Sequence, residues 1–376
     1  MSEKKALQLA SVASMIDQFN IPNIELLQSL GYSVDVAADF TTPGTITAER
    51  AENLKTRLNS MGVRVFDIAI PRSLNPKAIR SAYKQVKALL KKESYKLLHC
   101  HSPIGGAIAR RAAKGERKKG LRVIYTAHGF HFFDGAPLKN WLVFYPVEKW
   151  LSRYTDVLIT INEEDYERAT KRFKAKQTVY VPGVGVDLNR FNCQIMDREE
   201  KREQLGLKNN EKIILSVGEL SANKNHEVVI EAIGKLQDPS IHYFIAGRGE
   251  LGEKLRKKAE QQQVNLHLLG FRTDINELIQ ACDLFVFPSL REGLPVALME
   301  AMASGAVCLA SNIRGNRDLL QNPDYRVESG DVAGWREKIE TVLSSDNSAV
   351  VEDNLRRIKA FSAERVKEKM EEIYGT

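Results

Sequence analysis

Residues 283–316 read DLFVFPSLREGLPVALMEAMASGAVCLASNIRGN, and the fold follows from this stretch. Residues 284–287 form a short apolar run of the kind used by a strand buried on both faces. Pro288 and Ser289 stop that run, and a polar elbow, Arg291-Glu292-Gly293, follows. Pro295 is expected at the first helical position, which tolerates its missing N–H and fixed φ. Residues 296–303 are good helix formers with no breaker, and Gly305 offers a C-terminal stop. A second apolar run, 306–310, ends at Ser311. The order is strand, elbow, helix, strand: one βαβ unit.

Its chemistry follows from its geometry. A helix starting near Pro295 directs unpaired N–H groups, and the positive end of its dipole, at whatever lies above the strand. Gly293 has no side chain, so an anion can approach the amides of Gly293 and Leu294. Glu292 and Glu300 flank this place, Glu300 roughly 7–8 Å along the axis from the helix start. Carboxylates are poor phosphate ligands but good acceptors for sugar hydroxyls. A nucleoside diphosphate sugar has hydroxyls on both sides of its diphosphate, and the spacing suits it. The alternative is two carboxylates on an amphipathic helix that are simply solvated, or paired with Arg291 or Arg314.

Outward from this unit, short apolar runs alternate with helical periodicity and no hairpin signals occur. Strands are expected at 7–12, 34–38, 63–70, 96–100, 123–127, 157–160 and 178–181, and again from 213 onward. That pattern predicts open parallel sheets covered by helices. PGVGVD at 182–187 breaks it and marks a joint. The 376 residues suffice for two domains. A hydrophobic fraction of 43% is that of an ordinary globular chain. No run reaches the roughly 18–20 apolar residues of a membrane span. The N-terminal MSEKKALQLASVASM leads into polar sequence without a cleavage site, so a buried first strand is expected rather than a signal peptide. Cys100, Cys193, Cys282 and Cys308 are scattered and read as small core residues in a reducing compartment. The cytoplasm is the expected location.

The net charge of +7 is uneven: residues 72–122 hold fifteen Lys or Arg against two Glu. Such a surplus suits an anionic surface, or else a set of solvated helix faces. Phe132 and Phe133, beside this segment, are candidates for insertion into a bilayer interface, the alternative being core. His99 and His101 share one face of a strand, but two histidines without a third ligand do not make a zinc site.

LSVGELSANK at 215–224 places Lys224 a few residues beyond a strand and a glycine turn at Gly218, where an ammonium can meet a phosphate; a solvated loop lysine is the alternative. GRGE at 247–250 reads as a turn. YTAHGFH at 125–131 puts His128, and secondarily His131, at a strand end.

EGLPVALMEAMASG at 292–305 resembles the Glu-x7-Glu signature of the retaining, two-domain nucleotide-sugar glycosyltransferases of family 4, called glycosyl transferase group 1. HCHSPIGG, YTAHGFHFFDGAP, VGELSANKNH and SNIRGNRDL together resemble the branch that builds bacterial exopolysaccharide or capsule repeat units. The resemblance runs over nearly the whole chain. It implies an α/β chain of GT-B fold, two doubly wound Rossmann-like domains facing across a cleft. Residues 1–187 would bind the acceptor, 188–361 the nucleotide sugar, and 362–376 would form a helix returning to the first domain.

By the same resemblance, Glu292 orients the transferred sugar, Lys224 binds the diphosphate and His128 lies near the donor sugar. Glu300 holds the ribose. Gly293, Leu294, Pro295 and Gly218 line the donor site, and Phe271 and Arg272 meet the base. Two departures stand out. Glu219 occupies a position where the family usually has Arg; either it points away, or another cation such as Arg248 takes over. Ser11-Val12-Ala13-Ser14-Met15 replaces a paired-glycine loop, leaving Ser14 as a candidate contact.

The implied reaction is transfer from a UDP-sugar to a polyprenyl-diphosphate-linked saccharide at the inner membrane face. It retains configuration and uses no metal or cofactor, and no Asp-x-Asp is present. An anionic membrane surface is the expected further partner, and nucleic acid is not. Rival readings are a nucleotide-sugar epimerase of the same architecture and a non-enzymatic polyanion binder.

Overall fold

The computed structural model describes residues 4–191, 196–208 and 210–375. Cys193 and residues 1–3 of the N-terminal stretch lie outside them. Cys100, Cys282 and Cys308 are buried free thiols.

The chain divides into two compact units, Met1–Gly183 with Val366–Thr376, and Val184–Arg365. The sequence put the joint after residue 187 and the return at 362. The observed divisions fall four residues earlier and four later. The reason is local: Val186 bridges to Ser362 and accepts the Ala363 N–H at 2.9 Å, so both ends of the joint stay with the second unit.

Among the described residues the first unit has seven strands: β1 (Lys4–Val12), β2 (Tyr32–Asp39), β3 (Arg64–Asp67), β4 (Leu97–His101), β5 (Arg122–Ala127), β6 (Val157–Thr160) and β7 (Gln177–Tyr180). They pair in the order β3-β2-β1-β4-β5-β6-β7, and every pairing is parallel. The second has β8 (Lys212–Val217), β9 (Ile241–Ala246), β10 (Asn265–Gly270), β11 (Leu284–Phe287), β12 (Cys308–Ser311) and β13 (Arg326–Val327). Their order is β10-β9-β8-β11-β12-β13, again all parallel. Central strands such as LFVF and CLAS are buried throughout, as strands covered by helices on both faces must be. In each sheet the order reverses once, between β1 and β4 and between β8 and β11. Those reversals are where an open α/β sheet forms its ligand crevice.

Several elements differ from expectation. The stretch read as a small-residue loop after β1 is a helix, Ala13–Phe19, followed at once by Ile21–Ser29. The strand expected over 63–70 pairs only over Arg64–Asp67, with one further hydrogen bond from the Ile68 N–H to the Ala38 carbonyl at 2.9 Å. Arg198–Gln204, Arg314–Leu319 and Ser348–Ile358 are helices without a sequence expectation. Phe132 is fully buried, stacked on Phe130 with ring centroids 4.8 Å apart. It is therefore core, and the expected insertion of Phe132 into a bilayer does not fit; Phe133 is half-buried. Among the described residues no helix is long and apolar enough to cross a membrane.

Candidate functional site

The β8/β11 reversal sets two loops side by side. The loop after β8 ends in a short turn, Ala222–Lys224, and Asn225 takes a left-handed φ of 52°. Its Nδ2 donates to the Pro288 carbonyl at 3.3 Å and the Ser329 carbonyl at 2.8 Å. Asn223 accepts the Leu290 N–H at 2.8 Å and donates Nδ2 to the Arg291 carbonyl at 3.0 Å. The loop is thus stitched to the elbow that follows β11. Lys224 Nζ consequently lies 2.7 Å from Glu292 Oε1 and 4.7 Å from the Phe287 ring centroid. Gly218 leaves room for the lysine stem: a Cβ there would fall 3.2 Å from Lys224 Cε. The Glu292 carboxylate is therefore held by Lys224, while Arg314 Nε donates to the Glu292 backbone carbonyl at 3.0 Å.

The helix beyond the elbow is Val296–Ala303, with no side chain capping its N-terminus. Pro295 stands one place before it, extended at φ −82° and ψ 117°. It is the capping residue rather than the first helical one, because its ψ has not yet turned helical. The first N–H groups of this helix are the orphan donors the sequence pointed to. Gly293 is packed backbone to backbone against the next loop, since a Cβ on Gly315 would fall 2.3 Å from the Gly293 carbonyl oxygen. Leu294 buries its side chain. Glu300 is half-buried, and its carboxyl has no hydrogen-bond partner among the described residues. Burial raises its pKa to about 7, opposed in part by the Arg190 guanidinium.

The other donor-side candidates divide. Phe271 is 63% exposed, with the Arg248 guanidinium 6.0 Å from its ring centroid. Arg272 folds both its Nε and its Nη2 onto Asp274, Nε at 2.7 Å, and Asp274 also takes Lys201 at 2.6 Å. These two cations hold the Asp274 carboxyl far below the usual range, the Arg272 hydrogen bond contributing most. The Arg272 side chain is thus engaged within the protein rather than turned toward a base. Glu219 is exposed.

In the first unit β1, β4 and β5, with the residue just beyond β5, gather a polar cluster. His128 Nε2 lies 3.1 Å from His101 Nδ1, and His101 Nε2 lies 3.2 Å from Gln8 Oε1. His99 joins Tyr374 Oη at 2.7 Å through Nδ1 and Thr126 Oγ1 at 2.8 Å through Nε2. Burial lowers the His128 pKa to about 4 and that of His99 to about 3. Burial also lowers the His101 pKa well below the ordinary histidine value, so the surroundings favour the neutral form of all three imidazoles. His131 stacks on Phe144 at 4.6 Å, so it serves packing. Ser14 lies in the first turn of Ala13–Phe19 and is buried, its N–H bonded to the Pro43 carbonyl at 2.8 Å. Gln8 and Tyr374 escaped the sequence reading. The signal for Gln8 was there: one amide in the otherwise apolar ALQLA. Among the described residues no group of three or more His, Cys, Asp or Glu could hold a metal ion.

Residues 197–359 match the family model of the glycosyl transferases group 1, and residues 23–183 that of the glycosyl transferase 4-like domain. The chain is 35% identical over 382 aligned positions to the putative glycosyltransferase EpsD of Bacillus subtilis (strain 168), covering 99% of this chain and 96% of that protein. It is 30% identical to the UDP-Gal:alpha-D-GlcNAc-diphosphoundecaprenol alpha-1,3-galactosyltransferase of Escherichia coli, covering 98% and 95%. Among solved structures it is similar to Anabaena Alr3699/HepE in complex with UDP and glucose, with a TM-score of 0.77 and 18% identity over 99% of this chain and 100% of that one. At that identity the likeness shows the fold, GT-B.

Proposed function

The chain belongs to the group 1 glycosyltransferases, and from that premise we propose that it moves a sugar from a UDP-sugar to a saccharide carried on a polyprenyl diphosphate, with retention and without a metal ion, in cell-surface polysaccharide synthesis. The observation that carries this reading is the Lys224 ammonium held against Glu292 beside an uncapped helix N-terminus, with half-buried Glu300 one turn further on. Lys224 has three donors and Glu292 uses one of them. The remaining donors and the Val296 and Ala297 amides can take the diphosphate. Support for the donor and acceptor classes comes from the two relatives named for UDP and for a diphosphoundecaprenol-linked substrate.

In the proposed reaction the bond between the anomeric carbon and the β-phosphate oxygen breaks, and its electron pair leaves with the diphosphate. Lys224 and the helix amides stabilise that charge, which is electrostatic catalysis of a departing group. The acceptor hydroxyl attacks from the face the diphosphate has left, and its proton passes to a leaving phosphate oxygen. Glu292 orients the transferred sugar, Glu300 accepts hydrogen bonds from the ribose hydroxyls, and His128 offers a neutral imidazole to the substrate. Gly293, Leu294, Pro295 and Gly218 shape the phosphate pocket, and Phe271 presents an exposed ring to the base. Ser14 is buried in the first turn of its own helix, and Arg272 supports its loop through Asp274. The enzyme would work on the cytoplasmic side, where the nucleotide sugar is available.

The test is calorimetric titration with a panel of nucleotide sugars, followed by transfer to a synthetic polyprenyl-diphosphate saccharide with the product anomer read by NMR. Binding of UDP-sugars and acceptor-dependent transfer with retention are expected. Turnover of donor without acceptor would instead indicate an epimerase, and no nucleotide affinity would end the reading.

A further inference from the structure

Among the described residues, six large apolar side chains of the first unit face solvent, from Trp150 at 40% exposure to Leu138 at 72%. Leu74 comes from the loop before the Pro76–Glu93 helix; Leu138, Leu142, Val143, Val147 and Trp150 all come from the helix Leu138–Leu151. That helix, LKNWLVFYPVEKWL, is apolar on both sides. Trp141, Phe144 and Tyr145 pack inward on the core, and Leu151 is buried. A helix apolar all round is normally covered all round, and here only one side is.

The uncovered side borders a groove of about 730 Å³ between this helix and the helices Pro76–Glu93 and Pro103–Ala112, lined by Ile79, Tyr83 and Ile104 among others. Arg80 and Arg111 line it. Lys84, Lys87 and Lys91 follow Arg80 at helical spacing along Pro76–Glu93, so the four share one face of that helix, all exposed and none paired with a carboxylate among the described residues. Arg111, also exposed, has its guanidinium 5.7 Å from the Trp150 ring centroid.

A covering partner must be apolar at its centre and anionic at its margin. A second copy fails electrostatically, because a two-fold contact would bring two rows of unpaired cations together. Nucleic acid would meet the cations and leave the leucines in water. We propose that this face docks the chain on an anionic phospholipid bilayer. Leu138, Leu142 and Trp150 enter the boundary between acyl chains and headgroups, and Arg80, Lys84, Lys87 and Arg111 meet the lipid phosphates. The inference goes beyond the transferase reading and stands or fails whatever sugar is moved.

The experiment is flotation of the full chain with phosphatidylcholine vesicles, with and without phosphatidylglycerol. Trp150 emission, quenched by brominated lipid, serves as a second readout. The chain is expected to float with the phosphatidylglycerol vesicles, less so as salt rises, and not with phosphatidylcholine alone. Leu138→Glu with Leu142→Glu should abolish flotation while leaving the thermal melt unchanged. Arg80→Glu with Lys84→Glu should weaken it about 25-fold or more, since each cation contributes about fivefold. The proposal is overturned if the wild-type chain stays unbound, or if the double leucine variant floats as well as wild type. It is equally overturned if lipid-free protein forms a dimer that the leucine variant abolishes, which would give the face to a second copy.

Discussion

Lys224 and Glu292 form a partly exposed pair 2.7 Å apart, so neither is fixed by burial and each is kept in place by the stitched loops. Replacing Lys224 with Ala removes charge-assisted donors from the proposed diphosphate and leaves Glu292 beside it. Calorimetry should then show nucleotide affinity falling about 10–100-fold, roughly 1.5–3 kcal/mol. Glu300 makes a pH-dependent prediction. Its folded-state pKa of about 7 stands above the ordinary 4.5. Below about 4.5 both folded and unfolded chains are protonated there, and no difference arises. Between about 4.5 and 7 only the folded state keeps the proton, so stability is lost as pH rises through this window and the penalty is complete above it. Its ceiling is about 3 kcal/mol. Glu300→Gln should therefore melt with wild type at pH 4.5, melt higher at pH 8, and bind nucleotide sugar more weakly. An equal melting difference at both pH values would sink the burial argument. The two glutamates were legible from their spacing. That one is held by Lys224 and the other is half-buried without a partner was not, because both depend on residues distant in sequence.

At the scale of elements, the turns after β8 and β9 lie back to back. A Cβ on Gly247 would fall 1.8 Å from the Gly218 carbonyl oxygen. Gly247→Ala must push the two turns apart and should cost the second unit about 1–3 kcal/mol, read as a lower urea midpoint by Trp335 fluorescence. From sequence the GRGE segment was only a turn; its requirement for glycine comes from the neighbouring turn. In the first unit, Arg110 Nη2 donates to Glu148 Oε2 at 2.8 Å with both groups buried, and Tyr125 Oη donates to Glu148 Oε1 at 3.2 Å. The Arg110 guanidinium lies 3.8 Å from the Tyr125 ring centroid. Glu148→Ala strands a buried guanidinium and should destabilise the unit by about 3–5 kcal/mol, whereas Arg110→Met with Glu148→Leu should recover most of that loss. Thermal melts of the three proteins decide it.

At the scale of the molecule, the closing helix Ala363–Gly375 supplies Met370, Ile373 and Tyr374 to the core of the first unit. Burying each contributes about 1.5–3 kcal/mol, which together is comparable with a domain's whole stability. A chain stopped after Arg365 should therefore lose hydrogen-exchange protection across β1 to β7 and keep it across β8 to β13. Equal protection of both would show that the first unit folds without its last helix. The sequence by itself determined the alternation of strands and helices, the strand–elbow–helix at 284–303 and the family, since these are written in local periodicity, breakers and spacing. Only the tertiary structure decided the order of strands in each sheet. That order sets Lys224 against Glu292 across 68 residues and Tyr374 against His99 across 275. It also left one side of the Leu138–Leu151 helix bare. The physical reason is that a strand's sequence fixes that it will be buried and by which face, whereas its neighbour is chosen by the packing of the whole sheet.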